Sequence, residues 1–261
     1  MPEGKYQDLN IEERRSRILE ILTQQGKVKV NELSKLFGIS EVTIRNDLSE
    51  LEMSGLLERT HGGAISTYKA YYNMSIADRM RTNEEEKRKI ASAVASMISD
   101  MDTIMINSGT TTLFVVQELK SVKNLTIVTN SIPISLETGN YKDFHTILLG
   151  GNFNTRDQFT YGDDAINQLK KYKANKLVLS VDGINSEDGI STYHHLEAEI
   201  NRQMLARVNK TIVVADYTKI GRTSFAHIVP IENVDMIVTN KKANSDEINL
   251  IREKGVEVIL V

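Results

Sequence analysis

Hydrophobic positions divide the chain near residue 64 into two stretches of different rhythm. Over residues 11–24, Ile11, Ile18, Leu19, Ile21 and Leu22 are interleaved with Glu12, Arg14, Arg15 and Arg17, which predicts one amphipathic helix ended by Gly26. Lys27-Val28-Lys29-Val30 alternates as a short strand. Asn31 is an N-cap residue type for a second helix over 32–37, with Leu33, Leu36 and Phe37 facing inwards. Gly38-Ile39-Ser40 is a tight turn, and Ser40 caps a third helix running to about Met53 with Ile44, Leu48 and Leu51 as its buried stripe. Gly55 suits the left-handed position that closes that helix. Strand-like pieces at 56–60 and 64–66 flank a His61-Gly62-Gly63 turn. Helix, helix, three-residue turn, helix, hairpin is the order of a winged helix-turn-helix, expected over residues 1–66.

A linker is expected over 67–88. Tyr68, Tyr72, Arg79 and Arg81, with no Gly/Ser or Pro run, suit a docked segment rather than a floppy one. From Lys87 a helical pattern (Ile90, Ala93, Val94, Met97, Ile98) leads to a strand at 103–107. Strand-like runs recur at 126–129, 145–149, 176–181, 211–215, 236–239 and 257–261, most of them separated by helical patterns. Short buried runs alternating with helices predict an α/β domain over 89–261, a mostly parallel open sheet covered on both faces.

The chain has 261 residues, 40% of them hydrophobic and 26% charged, an ordinary globular composition. No apolar run is long enough for a transmembrane helix, and the first residues have no secretory pattern, so a cytoplasmic protein with no membrane partner is expected. The absence of cysteine excludes disulfides and thiol chemistry. The five histidines (His61, His145, His194, His195, His227) have no metal-ligand spacing, so no metal site and no cofactor are expected. The net charge of −3 does not advertise nucleic acid, and residues 1–63 hold nine Lys/Arg against eleven Asp/Glu. DNA binding must therefore rest on a local face: Lys27, Lys29, Lys35, Arg45, Arg59 and the wing at His61. Around Ser40, the residues outside the buried stripe of the third helix are Glu41, Thr43, Arg45, Asn46 and Glu50. Arginine can bond guanine bidentately, asparagine adenine, and threonine can touch a thymine methyl or a phosphate.

In the second stretch the sharpest feature is Asn107-Ser108-Gly109-Thr110-Thr111-Thr112, directly after a strand and opening a helix. Backbone N–H groups converge at such a place, and a phosphate would sit there. No lysine lies in the motif, which disfavours a nucleoside triphosphate. Other strand ends add Thr129-Asn130-Ser131, Gly150-Gly151, Asp182-Gly183 and Asp216-Tyr217-Thr218-Lys219 to the same crevice. Lys219 either complements a phosphate or is a solvated surface lysine. Asp182 either bonds sugar hydroxyls or forms an Asp-Gly turn. His194-His195 either polarises a ligand or caps the following helix, and the cap is the favoured reading.

The residues Glu13-Arg14-Arg15, Val30-Asn31-Glu32-Leu33, the run from Ser40 to Leu48, and Leu56-Leu57-Glu58-Arg59-Thr60-His61-Gly62-Gly63-Ala64 resemble the DeoR family of bacterial transcription regulators. The later blocks resemble that family's sensor domain, which is similar in fold to ribose-5-phosphate isomerase and glucosamine-6-phosphate deaminase. The resemblance implies that the 108–112 loop receives the phosphate of a sugar-phosphate effector, with Asp216 and Lys219 matching an Asp-x-x-Lys element. It implies a repressor of carbohydrate-metabolism genes, released from a double-stranded operator by that effector. A homodimer or homotetramer is expected separately, because a lone, slightly acidic winged helix binds weakly and operators are often symmetric. Three positions depart from the family pattern: Asn46 stands for a second recognition-helix arginine, Asn107 for an aspartate, and Asp100-Met101-Asp102 for Asp-Gly-Asp. The competing expectation is a sugar-phosphate isomerase or deaminase with an accessory DNA-binding domain. Against it, Asp182-Gly183-Ile184-Asn185 ends in an amide where the isomerases carry a carboxylate, and an amide is no base at neutral pH. Asp182 and Glu197 are the bases left for such an enzyme.

Overall fold

In the computed structural model, which describes residues 9–54, 56–65 and 74–261, a capping box opens the first helix. Asn10 Oδ1 accepts from the Glu13 N–H (2.9 Å), and the Glu13 carboxylate accepts from the Asn10 N–H (3.0 Å). Helix α1 (Ile11–Gln25) is followed by β1 (Lys27–Lys29), α2 (Val30–Phe37), α3 (Glu41–Met53), β2 (Glu58–Thr60) and β3 (Gly63–Ile65). The strands form an antiparallel sheet in the order β1-β3-β2, so the wing hairpin is anchored on the strand that follows α1. A Cβ at Gly63 would lie 2.0 Å from the Val28 carbonyl oxygen, so only glycine permits that approach. Ile18, Leu22, Val28, Leu33, Phe37, Ile44, Leu48 and Ala64 share one core.

Asn31 is not the cap of α2. The helix begins at Val30, with Lys29 at the N-cap position making no side-chain cap bond. The Val30 N–H instead donates to the Gly62 carbonyl in the wing turn (2.9 Å). Gly55, Ser66, Tyr68 and Tyr72 lie outside the described residues. Within the expected linker, Ser75 caps a short helix, α4 (Ile76–Arg81).

The chain folds as two units divided between Asn83 and Glu84. The second opens with α5 (Glu84–Ala95), whose first turn carries three glutamates. It continues with β4 (Thr103–Ile106), α6 (Thr110–Glu118), β5 (Thr126–Thr129), α7 (Ile132–Thr138), β6 (His145–Leu148), β7 (Asn152–Asn154), β8 (Phe159–Tyr161) and α8 (Asp163–Leu169). Then come β9 (Ala174–Ser180), β10 (Gly183–Asn185), β11 (Gly189–Thr192), α9 (His195–Leu205), β12 (Val208–Val214), β13 (Ala226–Val229), β14 (Met236–Thr239), α10 (Ser245–Glu253) and β15 (Glu257–Leu260). All seven predicted strands lie in one parallel sheet, ordered β15-β14-β12-β9-β4-β5-β6. Ile104, Met105 and Ile106, with Leu177, Val178 and Leu179 beside them, are fully buried, as sheets covered on both faces require. The chain winds outwards from β4 to β6, then returns to the other side of β4 with β9. The β4/β9 junction is therefore the switch point of a doubly wound sheet, where ligands bind at the strands' carboxyl ends. The β7–β8 hairpin and the antiparallel β10-β11-β13 sheet are additions that the hydrophobic pattern did not predict.

The turn before β4 explains one departure noted above. Asp100 Oδ1 accepts from the Lys123 N–H (2.8 Å) and Asp102 Oδ2 from the Ser99 N–H (2.8 Å), which leaves Met101 at φ 62°. That left-handed conformation favours glycine. Met101→Gly is expected to stabilise the second unit by about 0.5–1 kcal/mol, relief of strain exceeding the added freedom of the unfolded chain. Urea unfolding checks this, and an unchanged or lower midpoint contradicts it.

Candidate functional site

Helix α3 is held by its N-cap and by one buried carboxylate. Ser40 Oγ accepts from the Thr43 N–H (3.1 Å). Asp47, 2% exposed, accepts from Arg14 Nε (2.7 Å) and Arg15 Nε (3.0 Å), which ties α1 to α3. The buried side of α3 is Ile44, Asp47, Leu48 and Leu51. The opposite side presents Arg45 and Asn46 to solvent. Arg45 Nη2 lies 2.6 Å from Glu41 Oε2, an exposed pair one turn apart that is weak and replaceable by a stronger acceptor. Thr43 is half-buried, and its hydroxyl lies 2.9 Å from Ser40 Oγ. Arg59 reaches from β2 to Ser49 Oγ (2.7 Å), bringing a wing cation against the same helix. Lys27, Lys29 and His61 are exposed, with Lys29 Nζ 3.2 Å from Glu32.

In the second unit Asn107 is fully buried rather than open to a ligand. Its Nδ2 donates to the Ser180 carbonyl (2.9 Å), and its Oδ1 accepts from the Ser180 N–H (2.8 Å). This amide continues the β4–β9 ladder where the strands part, and an aspartate has no donor for the first bond. The charge that Asn107 lacks is therefore not lost from a ligand-facing position. Gly109 is required by proximity, because a Cβ there would lie 2.5 Å from Ser180 Cβ.

Being glycine, Gly109 also offers no side-chain cap to α6. The amides of Thr110, Thr111 and Thr112 thus open the helix without intrahelical acceptors. Thr112 Oγ1 is engaged with the carbonyls of Asn107 (3.0 Å) and Gly109 (2.9 Å). Among the described residues the Thr110 and Thr111 hydroxyls make no hydrogen bond. Ser108 Oγ lies 3.4 Å from the Asp157 carbonyl.

Three small groups of hydrogen-bonded polar side chains follow from this loop and the neighbouring strand ends. Asp157 Oδ2 meets His194 Nε2 at 2.9 Å. His194 is therefore not a side-chain cap: it occupies the N-cap position of α9 without a cap bond, its ring engaged by Asp157. Asp182 Oδ2 accepts from the Thr192 hydroxyl (2.8 Å) and the Tyr193 N–H (3.1 Å). The same hydroxyl lies 3.0 Å from Glu197 Oε2, and its single hydrogen serves one carboxylate at a time. One turn after Glu197, Asn201 Oδ1 accepts from Asn107 Nδ2 at 3.4 Å, at the switch point. Asp157, Thr192 and Asn201 escaped sequence reasoning. Asp157 sits in an unpredicted hairpin, and a helical Asn201 gives no local signal.

The other strand ends differ in role. Thr129, Asn130 and Ser131 are buried: Asn130 Nδ2 donates to the Thr160 carbonyl (3.1 Å), Thr129 Oγ1 accepts from the Ser131 N–H (3.1 Å), and Ser131 caps α7. They seat the β7–β8 hairpin and α7. The Gly150 N–H donates to Gln168 Oε1 (3.0 Å), and Gly151 adopts φ 138° close to the Tyr161 carbonyl. After β12, Asp216 is buried and accepts from the Thr218 N–H (2.9 Å) and hydroxyl, and Lys219 is buried with it. Burial, then the Asp216 charge, raises the Tyr217 phenol above its ordinary 10, so it remains a donor at neutral pH. Among the described residues no group of three or more His, Asp or Glu side chains is placed to hold a metal ion, and no helix is long and apolar enough to cross a membrane.

Residues 14–70 match the DeoR-like helix-turn-helix domain, and residues 82–241 match the DeoR C terminal sensor domain. The chain is 34% identical to the putative aga operon transcriptional repressor of Escherichia coli O157:H7, over 99% of this chain and 97% of that one. It is 32% identical to the HTH-type transcriptional regulator GolR of Listeria innocua, over 94% of this chain and 97% of that one. Among solved structures, ribose 5-phosphate isomerase A from Neisseria gonorrhoeae is similar at 19% identity and a TM-score of 0.39, over 56% of this chain and 55% of that one, a likeness that carries no argument on function. This chain belongs to the DeoR family of helix-turn-helix transcriptional regulators, and it is a DNA-binding regulator rather than an enzyme.

Proposed function

We propose that this regulator represses carbohydrate-metabolism genes and that a phosphorylated sugar in the β4/β9 crevice releases it from its operator. The observation that carries the effector reading is the 108–112 loop. Three uncapped amides and two unengaged threonine hydroxyls converge at the switch point of a parallel sheet, a combination suited to a phosphate. The buried Lys219, at the end of the same sheet's β12, supplies a cation on that side. Asp182 and Glu197, sharing the Thr192 hydroxyl, offer acceptors to the hydroxyl groups of the sugar. No metal or organic cofactor enters this reading.

Release follows from linkage: an effector that favours the DNA-incompetent arrangement weakens operator binding by the factor by which DNA weakens effector binding. A homodimer or homotetramer suits it, because half-sites about 34 Å apart are read by paired recognition helices and a single slightly acidic module binds weakly. Sedimentation velocity checks the assembly, and a monomer at micromolar concentration contradicts it. The cytoplasm is the expected place of action.

Calorimetric titration with a panel of sugars and their phosphates tests the effector site. One phosphorylated sugar is expected to bind while its unphosphorylated form does not. Thr111→Ala, which removes one unengaged hydroxyl, is expected to weaken that binding by about 1–2 kcal/mol. An unphosphorylated sugar that binds equally well, or Thr111→Ala binding like the wild type, contradicts the phosphate assignment.

A further inference from the structure

The reading face of α3 contains an apolar residue outside the set of polar base readers. Val42 is 64% exposed, and the spacing 42, 45, 46, 49 puts it on one face with Arg45, Asn46 and Ser49. That face lies opposite the buried Ile44, Asp47, Leu48 and Leu51. A single exposed valine elsewhere on a protein surface needs no explanation. This one stands in the first turn of the recognition helix, the part of a helix-turn-helix that meets base edges.

Thr43, the methyl-bearing side chain next to it, is less exposed and has its hydroxyl engaged within the first turn of the helix. It is half-buried, its amide is capped by Ser40 Oγ (3.1 Å), and its hydroxyl lies 2.9 Å from the same oxygen. In the major groove the apolar feature that distinguishes a base is the 5-methyl group of thymine. We infer that Val42 is a specificity-determining residue that selects a thymine through its 5-methyl group, one turn before the positions read by Arg45 and Asn46. The inference rests on the DNA-binding role and adds to it a base identity and a contact type. It also divides the labour on the helix, with hydrogen bonding left to Arg45 and Asn46 and methyl packing to Val42.

The test starts from operators selected out of random double-stranded DNA with the full-length protein. Each thymine of the enriched half-site is then replaced singly by deoxyuridine, which deletes only the methyl group. One replacement is expected to weaken wild-type binding about four-fold, the effect of returning one methyl to water, and to weaken Val42→Ala less, since alanine buries less of that methyl. Because Val42 is exposed, Val42→Ala is expected to melt like the wild type, which circular dichroism confirms before binding is read. A second selection with Val42→Ser should lose the thymine at that position while retaining the positions read by Arg45 and Asn46. If every deoxyuridine replacement affects wild type and Val42→Ala alike, the assignment of Val42 is overturned and the regulator reading is untouched. A pool that yields no enriched sequence overturns the DNA reading and this inference with it.

Discussion

Arg45→Ala is expected to weaken sequence-selective DNA binding at the base it reads and to leave both units folded. The side chain is half-exposed, and among the described residues its partner is Glu41 on the same helix surface, so its loss opens no cavity and strands no buried charge. If Arg45 reads guanine bidentately, the expected loss is about 1–3 kcal/mol per recognition helix at the matched base. Binding to scrambled DNA, which depends on phosphate neutralisation, should fall far less. Competition between operator and scrambled DNA separates the two terms. Equal discrimination by the variant and the wild type would place base readout on another element.

Asp47→Ala is expected to abolish DNA binding, by a different route. Asp47 is buried, and its two oxygens hold Arg14 and Arg15 of α1. Removing the carboxylate leaves two guanidinium groups on the α1–α3 seam without their anion. Breaking a buried pair in this way costs about 3–5 kcal/mol, and the lower end applies because Arg15 is partly in water. The N-terminal unit should therefore melt well below the wild type while the transition of the sensor unit is unmoved. Asp47→Asn, which retains one acceptor, should fall between. Two-stage thermal unfolding reads this directly, and a variant that melts like the wild type would show that the clamp contributes nothing.

The two substitutions mark what the sequence makes legible. The winged-helix order is visible because helical spacing, Gly38 and Ser40 are local signals, and the structure places Ser40 on the Thr43 amide as expected. The role of Asp47 is hidden because a charged residue on a buried stripe looks like a surface one until α1 brings arginines to it. Val42 is hidden by the opposite error, since an apolar side chain is presumed to belong to the core, yet here the core takes Ile44 and Leu48.

In the sensor unit all seven parallel strands are legible as short apolar runs, and so are the loops at their carboxyl ends. The strands β10, β11 and β13 are not. They are three or four residues long and are held by partners distant in sequence, as in the pairing of Ser191 with His227. The 108–112 loop is legible as a turn of small residues between a strand and a helix, whereas the polar side chains assembled around it are not. Asp157, Thr192 and Asn201 come from a hairpin, a strand end and a helix that only the fold assembles. Asn107 shows the limit of reading by motif. It looks like a substituted ligand residue, and the structure uses its amide to brace the switch point.

The central claim is that a phosphorylated sugar in the sensor controls operator affinity. Fluorescence anisotropy tests it most directly, with labelled DNA from upstream of this protein's gene and its neighbours, scrambled DNA as control, two salt concentrations and a panel of phosphorylated sugars. The expected result is specific, salt-sensitive binding that one phosphorylated sugar weakens for the wild type, with about 5- to 30-fold more of it needed for Thr111→Ala. Operator binding that no phosphorylated sugar weakens, or that saturating sugar phosphate tightens, would contradict the account.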